Sequence, residues 1–258
     1  MPISVAGIAA GLGLAGRRFD IDILPRCDST NAVLLGRAQA GAPSGTVVVA
    51  EEQTAGRGRR GRTWFASPGD SLTFSLLWRF APGRAPAGLS LAVGVAVARA
   101  LEGIGADETA LKWPNDILMQ GRKLGGILVE LVADPPHAAI IGIGINLRLP
   151  EGMPEDVRAA SAAIGAAGAE VDADGVLAAL LGELLATLET FAAGGFAAIR
   201  AEWTARHAFQ DARVRLSTDF APPREGICRG VDTDGALLLE TGGRVERILS
   251  GEVSLRPA

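Results

Sequence analysis

The chain has 258 residues, 48% of them apolar and 21% charged, and a net charge of −4 at pH 7. That length suits one large domain or a large domain with a small companion, with ample apolar matter for a packed core. The acidic balance excludes a general electrostatic pull towards nucleic acid or an anionic membrane, so any cationic chemistry has to be local.

The N-terminal stretch MPISVAGIAAGLGLAGRR places its arginines after the apolar run, the reverse of a secretion signal, and reads as a short amphipathic helix. No uninterrupted apolar stretch reaches the length of a membrane span. Cys27 and Cys228 lie far apart and suggest neither a disulfide framework nor a metal knuckle. A cytoplasmic protein with no DNA or membrane partner is therefore expected. Monomer and homodimer both stay open.

FDIDILPRC alternates like a strand and delivers DSTN, residues 28–31, ahead of a helical run in which Asp28, Ser29 or Thr30 is the expected cap. GTVVVAEEQ, residues 45–53, is a β-branched strand ending at Gln53, and SLTFSLLWRF is another at 71–80. LSLAVGVAVARALEGIG reads as a buried helix closed by Gly103 or Gly105. ALKWPNDILMQGRKLGGILVELV follows as turn, strand, turn, strand, with a hairpin at Gln120-Gly121. In the strand IIGIGINLRL, Gly142 and Gly144 share a face and open room for a ligand or another backbone.

DADGVLAALLGELLATLETF has apolar residues at helical spacing, and FAAIRAEWTARHAF is expected to form a second helix. His137 and His207 stand outside every motif and read as surface or helix residues. From Ala212 onward, short strands separated by Asp234-Gly235 and Gly242-Gly243 make a small barrel. The expected fold class is α+β, with a mixed-sheet domain over 1–208 and a β domain over 209–258.

Residues Gly56 to Arg62, GRGRRGR, hold four arginines and three glycines. Gly56, Gly58 and Gly61 match G-x-G-x-x-G, but no helical period follows to face a pyrophosphate, and the Gly-Lys-Ser/Thr of a Walker loop is missing. Two readings remain: a solvated basic turn, or a glycine-hinged clamp whose arginine forks take phosphate or carboxylate. In KWPNDI, Pro114 stiffens the turn, so that Lys112, Asn115 and Asp116 are presented together. Cation, amide and carboxylate suit a nucleotide and its metal, with Asp116 the candidate ligand; an ordinary solvated turn is the alternative. In RKLGGILVE, Lys123 at the mouth of a buried strand, beside Gly125-Gly126, points to close ligand approach.

Together GRGRRGR, KWPND and KLGGILVE, in this order and preceded by DSTN, resemble the catalytic domain of the biotin protein ligase family. GVDTDGALLLE and SGEVSLR resemble that family's small C-terminal domain, so the resemblance runs from about Asp20 to Arg256. It implies a mixed-sheet catalytic domain of the biotin/lipoate ligase type followed by a small SH3-like β-barrel. It also implies ATP-dependent formation of biotinyl-5′-AMP from biotin and Mg-ATP, then transfer of biotin to one lysine of a carboxylase's biotin carboxyl carrier domain.

Residue by residue, the resemblance puts Ser29, Thr30 and Asn31 around the biotin ring and Gln53 near the biotin carboxylate. Arg57, Gly58 and Arg59 close over the acyl-phosphate, Arg60 and Arg62 add positive potential, and Trp64 stacks on adenine. Lys123 sits between carboxylate and α-phosphate as the catalytic lysine, with Arg57 and Arg59. Lys112, Asn115, Asp116 and Asn146 serve the nucleotide and Mg²⁺, and Gly125 and Gly126 floor the biotin tail. Ser29 as a helix cap and Asn146 as a strand-end turn remain open alternatives. About 20 residues precede the catalytic region, which leads to the expectation of the monofunctional form without a DNA-binding module. A lipoate or octanoate transferase of similar fold is the nearest rival, and a nucleic-acid module using the arginine loop the rival of another class.

Overall fold

The computed structural model describes residues 3–64, 67–81, 86–106, 108–132, 137–150, 152–165, 171–218, 222–249 and 253–257. The N-terminal run folds as α1 (Val5–Leu12) with a 3₁₀ turn after it, and Ser4 caps it through Gly7 N–H. Strands β1 (Asp20–Cys27) and β2 (Thr46–Gln53) flank α2 (Thr30–Gln39), and β3 (Ser71–Arg79) leads to α3 (Leu89–Gly103). Helix α3 ends as its glycines suggest: Gly105 is left-handed at φ 82°, and Ala106 N–H returns to Leu101 O at 2.9 Å. The hairpin region divides into β4 (Thr109–Lys112), β5 (Asp116–Met119) and β6 (Arg122–Val132), and β7 (Ala138–Asn146) follows.

These seven strands form one sheet in the order β1-β2-β3-β7-β6-β5-β4. Only the β1–β2 pair is parallel, because α2 carries the chain across between them. Two short helices and one long one come next: α4 (Glu155–Ala159), α5 (Ala173–Gly194) and α6 (Arg200–Ala205). The expected second helix is instead a single 3₁₀ turn, Phe196–Ala198, plus α6, set off from α5 by Gly195 at φ 65° and interrupted at Ile199. Helix α5 spans 22 residues and by length and composition is apolar enough to cross a membrane. Here it packs against α1 and α3, with Leu177, Leu180, Leu181, Leu184 and Leu188 in the core.

The two faces of the sheet have different fates. One is covered by α1, α3 and α5 in a continuous apolar core. On the other, α2 places Leu34 and Ala38 on Val48, Leu77 and Ile140, covering only one end. The uncovered remainder is the floor of the site.

Strands β8 (Arg213–Thr218), β9 (Arg224–Val231), β10 (Leu237–Thr241), β11 (Arg244–Ile248) and β12 (Val253–Pro257) make a second, antiparallel sheet in the order β11-β10-β9-β8-β12. Its Val214, Leu216, Cys228 and Leu237 belong to the same apolar cluster as α3 and α5. Where the two sheets meet lies His207, which is 6% exposed and not a surface residue. Its ring stacks on Trp203 at 4.5 Å, and its Nδ1 is 3.9 Å from Cys228 Sγ. Its Nε2 is buried without a hydrogen-bond partner among the described residues.

Burial lowers the His207 pKa to about 4. Because the folded value lies below the ordinary 6.5, the unfolded chain takes up a proton that the folded chain refuses between those values. The contribution to stability is whole above 6.5 and is lost as pH falls towards 4. His207→Phe keeps the stacked shape, so urea unfolding is expected to lose about 3 kcal/mol less than wild type on going from neutral pH to about pH 4. Parallel losses in the two proteins would place the titrating group elsewhere.

Candidate functional site

Strand register puts Thr73, Gly144, Gly126 and Asp116 in one row across β3, β7, β6 and β5. The next row holds Ser75, Gly142 and Leu128. Paired residues share a face, so both rows line the uncovered side of the sheet. The glycines of these rows are sites of close approach. A Cβ on Gly142 would collide with the side-chain amide of Asn31, one on Gly144 would lie 2.5 Å from the Trp64 indole, and one on Gly126 would lie 3.6 Å from Lys123 Nζ. The room that the IGIG pattern foretold is thus taken by side chains of this chain, an amide and an indole.

Alternation sends Gly125 to the other face, where its Cβ would meet Gly144 O and Ile145 Cδ1. Gly125 therefore packs towards the core and does not floor the cavity, contrary to the sequence expectation. By the same alternation Lys123 would also turn inward. A register shift prevents this: Leu118 pairs with Lys123 while Ile117 pairs with Gly125. The extra residue, Leu124, goes into the core, and the lysine swings out to the site.

There Lys123 Nζ donates to Asp116 Oδ1 at 2.6 Å, while Lys112 Nζ donates to Asp116 Oδ2 at 3.0 Å. Lys112 and Asp116 are register partners closing the turn, so β4 and β5 fix that contact. Burial pushes the Asp116 carboxyl up, but the two ammonium groups outweigh it and hold its pKa below the usual carboxylate range. The turn between them is anchored by Trp113, fully buried, whose Nε1 donates at 3.0 Å to Gly235 O in a turn of the C-terminal β domain. With both oxygens committed to ammonium groups, Asp116 is poorly placed to hold a resident cation. Among the described residues no group of three or more His, Cys, Asp or Glu side chains is arranged to hold a metal.

The arginine loop arches over this row on its own backbone frame. Gly58 N–H donates to Arg62 O at 2.7 Å and Trp64 N–H to Gly56 O at 2.9 Å, with Arg60 left-handed at φ 60°. Arg59 Nη1 lies 3.4 Å from Asn115 Oδ1. Burial lowers the Arg59 pKa, against the pull of Asp116 and together with Arg60 and Arg62. The guanidinium is thus half-desolvated, which strengthens its hold on any anion brought beside it.

At the far end of the floor, Ser29, Thr30 and Asn31 are all buried, at 5%, 4% and 4% exposure. Gln53 Oε1 accepts from Thr30 N–H at 2.8 Å and thereby caps α2 from outside the helix. Ser29 occupies the N-cap position but makes no side-chain capping bond, so its hydroxyl is left to the cavity it lines. Asn146 Nδ2 donates to Ala162 O at 2.9 Å and pins the 160–162 segment alongside Lys123.

One cavity of about 550 Å³ joins the polar end to the cationic end. Its lining includes residues with no role at the site expected from sequence: Met153, Asp156 and Val157 around α4, and Ser254, Leu255 and Arg256 on β12. The strand EVSLR was legible as part of the C-terminal domain, but its reach back to the catalytic floor was not.

Trp64 on Gly144 yields a direct test. Gly144→Ala is expected to destabilise the fold by about 1–3 kcal/mol as the indole is pushed off the strand. In a Trp64→Ala background the same methyl has space and should cost much less. Equal costs in both backgrounds, measured by urea unfolding, would show that the indole does not rest on this glycine.

Residues 23–146 match the Biotin/lipoate A/B protein ligase family, and residues 213–256 match the Biotin protein ligase C terminal domain. The bifunctional ligase/repressor BirA of Escherichia coli is 42% identical over 243 residues, covering 92% of this chain and 74% of that protein. The chain belongs to the biotin protein ligase family. The biotin--[acetyl-CoA-carboxylase] ligase of Mycobacterium tuberculosis is 37% identical over 240 residues, 90% of this chain and 88% of its own. A biotin protein ligase from Aquifex aeolicus, solved in complex with biotin and ATP, superposes with a TM-score of 0.81 at 31% identity. That match covers 93% of this chain and 99% of the Aquifex chain. The fold expectation, a mixed-sheet ligase domain with a C-terminal β domain, stands with these matches.

Proposed function

We propose that this biotin protein ligase joins biotin to ATP as biotinyl-5′-adenylate and then passes the biotinyl group to a lysine of a carboxylase's carrier domain. One observation supports the reading above the others. A single cavity runs from a small buried polar pocket at Ser29, Thr30 and Asn31 to a wall of cations at Arg57, Arg59, Lys112 and Lys123. A neutral ureido ring suits the first end, and a carboxylate meeting a triphosphate suits the second.

In the first step a biotin carboxylate oxygen bonds to the α-phosphorus, and the bond to the β-phosphate breaks to release pyrophosphate. Both reactants are anions, so their approach and the charge gathering on the α-phosphoryl oxygens need fixed cations. Lys123 is oriented for this by Asp116 beneath it, and Lys112 extends the field towards the triphosphate. Arg57 and Arg59 close from above. Trp64, set in place over Gly144, offers its exposed face to adenine. Magnesium would enter with the nucleotide and offset its phosphate charge; Asp116 is the carboxylate on this floor that would face it, and it already carries Lys112 and Lys123. In the second step the carrier lysine's amine attacks the acyl carbon, AMP leaves, and an amide forms.

Residues 1–208 carry this chemistry, and residues 209–258 brace it through Trp113 and complete the wall at Arg256. Incubation with biotin, ATP, Mg²⁺ and a carrier domain is expected to release pyrophosphate and add one biotinyl mass to the carrier. Transfer of octanoate or lipoate in preference to biotin would overturn the reading in favour of the sister activity.

A further inference from the structure

A polar chain crosses the floor from the ring pocket to the arginine loop without touching the Lys112–Asp116–Lys123 cluster. Ser75 Oγ lies 2.6 Å from Asn31 Oδ1, to which it donates. Asn31 Nδ2 donates in turn to Glu130 Oε2, also at 2.6 Å, with Leu128 O at 3.3 Å. The other carboxylate oxygen of Glu130 lies 3.8 Å from an Arg57 guanidinium nitrogen. Glu130 is on β6, its side chain 32% exposed, opposite Ile140 in the sheet.

A carboxylate is an unexpected group here. Its strand partner is apolar, and it lines the neighbouring cavity while touching Asn31 and Arg57, which line the site cavity, so its charge repels an anionic ligand brought beside Arg57. Two contacts account for it. Its acceptor oxygen sets which way the buried Asn31 amide turns, leaving Oδ1 to Ser75. Its charge gives Arg57 a partner within the protein.

We propose that Glu130 is a positioning residue that orients Asn31 and serves as the resident counter-ion of Arg57, displaced by the acyl-phosphoryl anion of the ligand. The inference rests on the ligase reading for the identity of that anion. When the anion arrives, Arg57 exchanges one negative partner for another, so the net gain in grip is smaller than a solvated arginine would supply. Glu130 thereby moderates how tightly the loop holds its intermediate, which a carrier lysine must later reach.

Glu130→Gln keeps the acceptor for Asn31 and removes the charge. Without any ligand, amides of residues 56–62 should exchange faster in this variant, because the loop loses its tether. Biotinyl-adenylate should leave more slowly, by up to about fivefold, as expected for a partly exposed pair. Both effects should vanish in an Arg57→Gln background, whereas general repulsion of the ligand by a nearby charge would persist there. Glu130→Ala should in addition raise the KM for biotin, since Asn31 is no longer oriented, while Glu130→Gln holds it near the wild-type value. Unchanged exchange and unchanged release in Glu130→Gln, or changes that survive in the Arg57→Gln background, would overturn the inference. A wild-type protein inert towards biotin and ATP would instead overturn the ligase reading, and the ligand-free exchange would still decide the ion pair.

Discussion

Replacing Lys123 with methionine is expected to slow biotinyl-adenylate formation about a hundred- to a thousandfold, or about 3–4 kcal/mol of transition-state stabilisation. The stem length survives, so the lost quantity is one positive charge placed where charge develops. The structure adds a second consequence. Asp116 is left with Lys112 as its remaining ammonium partner, at 3.0 Å. Stability should fall by about 1–3 kcal/mol for a poorly compensated carboxylate.

Fold and chemistry are separated by a second variant, Lys123→Met with Asp116→Asn. It removes the stranded charge, so it should regain much of the stability and none of the rate. Pyrophosphate release and urea unfolding measure the two. Near-normal release from folded Lys123→Met protein would remove Lys123 from the reaction.

Arg59→Gly is expected to uncouple the two half-reactions. The adenylate is a mixed anhydride that any nearby amine or water can open, so useful transfer requires holding it until the carrier docks. The Arg59 guanidinium is half-desolvated beside Asn115 and Asp116, where a charge-assisted bond to the acyl-phosphate is stronger than one in water. Its loss also leaves glycine at three of the four positions 58–61, with Arg60 between them, which loosens the lid. Adenylate formation should continue through Lys123, whose pairing with Asp116 does not involve the loop. Retention should weaken by about 1.5–3 kcal/mol, roughly ten- to a hundredfold in release. Bystander proteins such as albumin should then become biotinylated when biotin and ATP are supplied. If the variant binds both substrates and releases adenylate no faster than wild type, Arg59 is not the clamp.

Much of this protein is written locally. Runs of β-branched residues set out the strands around Val47–Val49 and Ile140–Ile145, and Gln120-Gly121 made its hairpin because both residues take positive φ, at 52° and 73°. The cationic segments were equally legible, since four arginines among three glycines form an unusual composition at any position in a fold. Motif order then pointed to the family, whose matches cover both ends of the chain.

Direction and partnership were not written there. Lys123 was expected beside a ligand from its glycine neighbours, but its pairing with Asp116 was not legible: strict alternation with Gly125 would turn it to the core, and only a register shift against β5, which depends on two strands at once, turns it to Asp116. Gly125 and Gly126 look alike in a sequence, yet the pleat sends them to opposite faces. His207 looked like a surface or helix residue until α6 and β9 closed over it, and Glu130 ended the KLGGILVE motif with no role attached until Asn31 and Arg57, distant in the chain, met at its two oxygens. Residue type and short-range spacing are properties of neighbours along the chain, so a sequence holds them outright. Which face a side chain takes, which charge it meets and how dry its surroundings are depend on pairings between distant strands, and those exist only once the sheet has formed.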